Sequence, residues 1–484
     1  MHIDDKTPGR RRPWRAAGLS VVAAWLAGCA AVPGPSPDPI DPSPIDPIVV
    51  EEMARQRIPG MAVAVVRRGE VVRAAGFGLA NVEHSVPVTT STVFQTGSLA
   101  KQLTAVAVML QVEDGKLDLD ASITRYLPGA PEAWKAITVR HLLTHTSGIP
   151  NYDERLLDYR KDYTEDQLVQ IAFGLRPEFP AGSRWSYSDT GYVLLGIIVR
   201  KASGRFYGDV LRDRVFEPLG MNSARVISEE DIVLHRAGGY RLDGEALKNQ
   251  AWVAPTLNTT ADGSLYLSLQ DWLAWERALR QRTVLSAASW EQVFTPVRLN
   301  SGKSFPHGFG WELDDGRGPA GYRHEGAWQG FQTAYLHATE ADLTVIVLSN
   351  LAEARPMHIA QRVAQIYVPE LNRLAPVAPT EPDPQLATRV RALLEATAAG
   401  TLRESEFEYL PVGFFPTVPA AYQKLLAGRG PVQRIELLER WELGDDAVLR
   451  LRAMVGGQPF RVDLSVTPSG RFSSYGLQAE APTD

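Results

Sequence analysis

Gly97-Ser98-Leu99-Ala100-Lys101 opens an apolar run that continues to Glu113 and closes at Gly115. The run reads as a helix over 98–113. Residues three apart on a helix share a face about one turn from each other. Ser98 and Lys101 are therefore neighbours, with the lysine amine placed to take a proton when the serine hydroxyl attacks a carbonyl. The Ser98 N–H lies at the positive end of the same helix, where an oxyanion is welcome. This is the only Ser-x-x-Lys in the chain. A tetrapeptide alone carries little weight, so its surroundings decide.

Met61–Arg68 and Val71–Gly76 flank Gly69 as two β-rich runs, reading as a hairpin. Further helices are expected over 138–144 and 190–201, and strands return at Phe309–Leu313, Tyr322–His324, Phe331–His337 and Leu343–Leu348. Strands from both ends with helices between them predict an α/β (α+β) fold, an antiparallel sheet flanked by helices with a helical subdomain. Ser268-Leu269-Gln270-Asp271 before Trp272 resembles a capping box, with Asp for the usual Glu.

Three more segments carry chemistry. In Trp185-Ser186-Tyr187-Ser188-Asp189-Thr190-Gly191-Tyr192, Tyr187 lies on a loop entering a helix and can relay a proton. His141-Leu142-Leu143-Thr144-His145-Thr146-Ser147-Gly148 holds two histidines four apart, but Leu142 fills the place of a zincin's glutamate, which favours a structural role for both. His324-Glu325-Gly326-Ala327-Trp328 falls on a late strand, where Gly326 admits another backbone. No Gly-x-Ser-x-Gly occurs, which argues against an α/β-hydrolase.

In this order the motifs resemble the serine β-lactamase and DD-peptidase superfamily, in its class C-like branch of penicillin-recognising peptidases, D-aminopeptidases and esterases. That family carries Ser-x-x-Lys, Tyr-x-Asn and Lys-Thr-Gly or His-x-Gly, and the resemblance covers about residues 48–372. It implies Ser98 as acylated nucleophile, Lys101 as base or shuttle with a lowered pKa, and Tyr187 as proton donor to the leaving group. His324 would support Tyr187 and the substrate, and the N–H groups of Ser98 and Ala327 would form the oxyanion hole. Asp189, Glu325, Gly326, Trp185 and Trp328 would line the substrate site. No metal or cofactor is implied.

Two positions depart from the family pattern. Asp189 stands where asparagine is usual, and an ionised aspartate cannot donate a hydrogen bond to a substrate acylamide. Capping of the following helix and pairing with Lys101 are the two readings of this residue. Ser188-Asp189-Thr190 also reads as a variant Ser-Asp-Asn, although Tyr187 and Gly191-Tyr192 favour the Tyr-x-Asn register. Glu325 takes a place often held by threonine. Facing the cleft, it would repel a substrate carboxylate and favour esters or amides lacking one; strand alternation can instead turn it away.

Outside this core, residues 1–28 read as a lipoprotein signal peptide. Arg10, Arg11, Arg12 and Arg15 precede an apolar stretch too short to span a bilayer, and Leu26-Ala27-Gly28-Cys29 resembles a lipobox. Lipid on Cys29, the only cysteine, would tether the chain to a membrane, with the periplasmic side of the outer membrane favoured because Ala30 is not aspartate. Residues 29–47 read as a stiff Pro-rich linker. Removing 1–28 leaves 45 basic against 54 acidic residues with no basic run, which argues against nucleic acid as a partner. A hydrolase domain over 48–375, a second Pro-rich linker over 376–384 and a small α+β domain over 385–484 follow. The last combines a helix bearing Leu386, Val390, Leu393 and Thr397 with an antiparallel meander, similar in outline to NTF2-like or cystatin-like folds.

The expected function is hydrolysis of a small ester or amide through an acyl-enzyme on Ser98. The alternatives are a β-lactamase or D-alanyl-D-alanine carboxypeptidase acting on peptidoglycan-derived substrates, and a catalytically silent wall-binding or scaffolding lipoprotein.

Overall fold

The computed structural model describes residues 44–152, 156–226, 231–316, 320–372, 379–410 and 413–480. The signal segment and Cys29 lie outside the described residues, as do most of the first Pro-rich linker and residues 376–378 of the second. No helix among the described residues is long and apolar enough to cross a membrane.

A seven-stranded antiparallel sheet joins the two ends of the large domain. Its order is Glu312–Leu313, Gly321–Trp328, Phe331–Ala338, Leu343–Ser349, Gly60–Arg67, Glu70–Asn81 and Val86–Pro87. Val63 pairs with Val347 on one side and Ala75 on the other, so the expected hairpin forms and the late strands close against it. Successive residues of a strand face opposite sides. Met61, Val63 and Val65 pack with Val49, Ile359 and Val363 of the terminal helices Asp46–Gln56 and Pro356–Tyr367. Ala62 and Ala64 face the other core, which includes Leu103 and Trp272. The sheet is thus covered on both faces, and one helical layer contains the buried helix Lys101–Glu113. Every residue of that helix from Lys101 to Gln111 is buried, which explains the unbroken apolar run Ala105–Leu110 at its centre.

Several boundaries differ from expectation. Residues 97–100 form a 3-10 turn, and the α-helix starts at Lys101. Only Glu312–Leu313 of the expected 309–313 strand pairs, because the chain turns at Gly310 (φ 75°) and puts Phe309 and Trp311 in the core. The first linker ends early: Ile45 is buried, and Pro47 sits in the first turn of Asp46–Gln56, where its missing N–H is harmless. Pro384 likewise starts a helix rather than ending a linker.

The C-terminal part has its own core. Helix Pro384–Ala399 buries Val390, Leu393, Leu394 and Thr397 and stops at Gly400 (φ 67°), while Leu386 is only partly covered. Strands Val432–Leu443, Asp446–Val455, Gln458–Val466 and Phe472–Ala479 form the meander, with Leu449, Leu451, Phe460, Val462 and Leu464 inward. Gly456 and Gly457 both have positive φ, as a tight two-residue hairpin turn requires.

The capping box at Ser268 forms in full. Ser268 Oγ accepts from Asp271 N at 3.2 Å, and Asp271 Oδ2 accepts from Ser268 N at 2.8 Å and also from Ser223 Oγ. Ser268→Ala should therefore cost about 1 kcal/mol. Asp271→Ala should cost more, because it leaves two buried donors without an acceptor. Urea unfolding of both variants checks this order.

Candidate active site

The nucleophile turn is held by close backbone contact. Gly97 has φ 54°, and a Cβ there would lie 2.6 Å from Ala327 N. A Cβ on Gly326 would lie 2.0 Å from Thr96 O. Strand Gly321–Trp328 can therefore press against turn 97–100 only because both positions are glycine. Thr333 Oγ1 donates to Thr96 O at 2.7 Å and pins the same contact.

A strap over residues 260–265 closes the other side. Thr96 N donates to Leu265 O at 2.9 Å, Thr104 Oγ1 to Ala261 O at 2.7 Å and Tyr207 Oη to Thr260 O at 2.9 Å. Lys101 Nζ donates to Asp262 O at 2.6 Å, to Asp189 Oδ1 at 2.6 Å and to Ser98 Oγ at 3.0 Å. Lys101 is fully buried, and an ammonium has three donors, so each finds an oxygen. Burial pushes its pKa down, but the Asp189 carboxylate, with smaller help from Tyr187 and Asp262, outweighs this and raises it. The expected lowering is thus corrected: what surrounds the amine is a set of acceptors and an anion, not other donors.

Tyr187 stands beside this pair, with the Lys101 ammonium 5.0 Å from its ring centre. Burial pushes its phenol up to about 12, against the nearby Lys101 cation, which pulls it down. His145 backs the ring, stacked at 4.4 Å between centres. Its Nδ1 accepts from Ser188 N at 3.0 Å, and its carbonyl accepts from Ser186 N at 2.8 Å. His145 therefore holds the loop on both sides of Tyr187, while His141 accepts from Thr138 N in a helix cap. Neither histidine does what a metal ligand would.

His324 is buried, with its ring 6.3 Å from that of Tyr187. Its Nδ1 lies 2.5 Å from Glu325 O, so Nδ1 carries the proton and Nε2 is left as a buried acceptor. Burial, and secondarily Lys101, bring its pKa down to about 4. Gly326 shares the inner face of the strand with His324. Glu325 is exposed on the opposite face, where partial burial and the nearby Glu312 carboxylate raise its pKa against Arg323. The structure thus removes Glu325 from the cleft and, with it, the expected repulsion of a substrate carboxylate. Ser188, not Asp189, caps helix Asp189–Ser203, accepting from Gly191 N at 3.2 Å; Asp189 is the Lys101 partner. Trp185 stacks on Phe305 at 4.4 Å, and Trp328 Nε1 donates to Asn258 Oδ1 at 2.7 Å.

Sequence reasoning missed the strap with Asp262, and His307, whose ring lies 5.0 Å from that of His145. Nothing in the local sequence marks either residue, since both are brought in by long-range packing.

Turn, lysine, tyrosine and late-strand histidine converge as in a serine acyl-transfer centre. The Beta-lactamase family model matches residues 45–368. The chain belongs to that family. It is 34% identical over 304 residues to Penicillin-binding protein 4* of Bacillus subtilis, covering 59% of this chain and 66% of that protein. It is 29% identical over 334 residues to a D-aminopeptidase of Gluconobacter oxydans, covering 66% and 62%. The chain thus spans a little under two thirds of these two relatives' lengths. An octameric penicillin-binding protein homologue from Pyrococcus abyssi shares the fold at a TM-score of 0.61 and 24% identity, over 90% of this chain and 96% of that one.

His145, His307 and His324 all have pKa values lowered chiefly by burial, to about 3 for His307 and about 4 for His324. Such groups take up protons on unfolding, so their contribution is complete above the unfolded value of 6.5 and is lost as pH falls toward the folded values. Urea unfolding should show stability falling steadily from about pH 6.5 to about pH 4, with His307→Gln reducing the slope. A chain equally stable at both ends of that range would contradict the assignment.

Proposed function

We propose that this chain is a serine hydrolase that cleaves amides and peptides, and activated esters, through an acyl-enzyme on Ser98. The observation that carries the reading is the Lys101 ammonium 3.0 Å from Ser98 Oγ and 5.0 Å from the Tyr187 ring centre. Lys101 acts as a fixed cation rather than a free amine. It stabilises negative charge as it builds on Ser98 Oγ and on the Tyr187 oxygen. Tyr187 accepts the serine proton as it passes its own to the leaving nitrogen, so no free phenolate is needed. The peptide N–H groups of Ser98 and Ala327, brought together at Gly97, take the oxyanion. Water then attacks the acyl-enzyme by the reverse relay. His324, neutral at physiological pH, offers Nε2 as an acceptor toward the substrate side of Tyr187.

A second reading, hydrolysis of β-lactams or of peptides ending in D-alanine, gains from the outward position of Glu325, which leaves that side chain no part in repelling a carboxylate. The relatives' names, a penicillin-binding protein and a D-aminopeptidase, span both readings. The basic, apolar and cysteine sequence of residues 10–29 supports secretion and a lipid anchor at Cys29, with the outer membrane as its site.

The test compares kcat/KM for amino-acid p-nitroanilides, p-nitrophenyl butyrate and a chromogenic cephalosporin. Ser98→Ala should abolish turnover of whichever is used, by about 10⁴-fold or more. Tyr187→Phe should lower kcat about 10²–10³-fold with little change in KM. A cephalosporin preference would establish the second reading. No Ser98-dependent turnover of any of the three would return the silent lipoprotein.

A further inference from the structure

The C-terminal domain reaches the tyrosine loop directly. Arg184, three residues before Tyr187, donates from Nη1 to Asp446 Oδ1 at 2.9 Å and from Nη2 to Asp446 Oδ2 at 2.7 Å. The pair is largely buried, with side-chain exposures of 18% and 9%. Ser473 Oγ donates to the same carboxylate at 2.5 Å, and the Arg184 guanidinium lies 4.3 Å over the Tyr409 ring. A planar fork paired in two places and seated on an aromatic face has little freedom left.

The turn before Asp446 makes a second contact. A Cβ on Gly444 would sit 3.0 Å from Leu299 Cδ1 and 3.5 Å from Phe305 Cδ2. Phe305 stacks on Trp185 with planes 9° apart, and Trp185 lies edge-on to His145, which backs Tyr187. One turn of the C-terminal domain therefore reaches the residues one and two places before Ser186: Arg184 by charge, Trp185 through Phe305.

We propose that the C-terminal domain positions the catalytic tyrosine, with Asp446, acting through Arg184, as a positioning residue for Tyr187. The proposal rests on the reading of Tyr187 as the proton relay. It gives the domain a task in catalysis without a reacting group of its own. Small displacements of a relay group lower rate far more than binding.

Asp446→Asn in the full chain keeps the shape and removes the charge that fixes the fork. Its kcat for p-nitrophenyl butyrate should fall about tenfold, with KM changed less than about twofold. Glu442→Ala, which breaks a solvent-exposed pair between the C-terminal domain and Lys303 of the hydrolase domain, should leave kcat within about twofold. In a Tyr187→Phe background, Asp446→Asn should add no further loss, since both act on one step. Equal losses in Asp446→Asn and Glu442→Ala, or full additivity with Tyr187→Phe, would overturn the proposal. Should Asp446→Asn not fold, Tyr409→Ala, which removes the surface under Arg184 together with an edge contact to Phe179, carries the same expectations. The 19F resonance of 3-fluorotyrosine at position 187 separates the two readings. If the wild-type chain turns over nothing, the hydrolase reading fails, yet Asp446→Asn should still shift that resonance; no shift would reject the coupling.

Discussion

A fully buried lysine ammonium needs three oxygens, and the site is arranged around supplying them to Lys101. Ser98 Oγ comes from the preceding turn, Asp189 Oδ1 from the start of a helix nearly ninety residues later, and Asp262 O from the strap. Leaving such a charge unpaired would be heavily unfavourable. Any arrangement that separates these three segments therefore exposes the cation to that penalty. The lysine thus ties together parts of the chain that local structure does not connect.

The glycines make the second constraint. Gly97, Gly263 and Gly326 let three backbone segments meet at the nucleophile; a Cβ on Gly263 would lie 3.0 Å from Gly97 C. Peptide N–H groups can then converge on one point, and rigid peptides need no reorganisation as charge develops. The sheet supplies the stiffness behind them, since its central strands are buried on both faces.

Much of this was legible. The hairpin at Gly69, the late strands, the capping box at Ser268 and the C-terminal meander follow from alternation, turn residues and caps, all of them local signals. Ser98, Lys101, Tyr187 and His324 were legible because each sits in a short motif, and the structure brings them together. What was not legible depends on long-range packing. The charge state of Lys101 turns on Asp189, whose side chain reads equally as a cap until its partner is seen. Asp262 and His307 carry no local pattern. The early end of the first linker was hidden by Pro47, which marks a spacer and a helix start alike.

The central claim is that Lys101 is an ammonium held by Asp189, so that Tyr187 and not the lysine carries the serine proton. The direct test is the 13Cε chemical shift of Lys101 in the uniformly folded chain, followed by NMR through a pH titration. The account predicts a protonated lysine at every pH up to about 10, with the titration moved to lower pH in Asp189→Asn. A wild-type midpoint near neutrality would contradict it and make Lys101 the base.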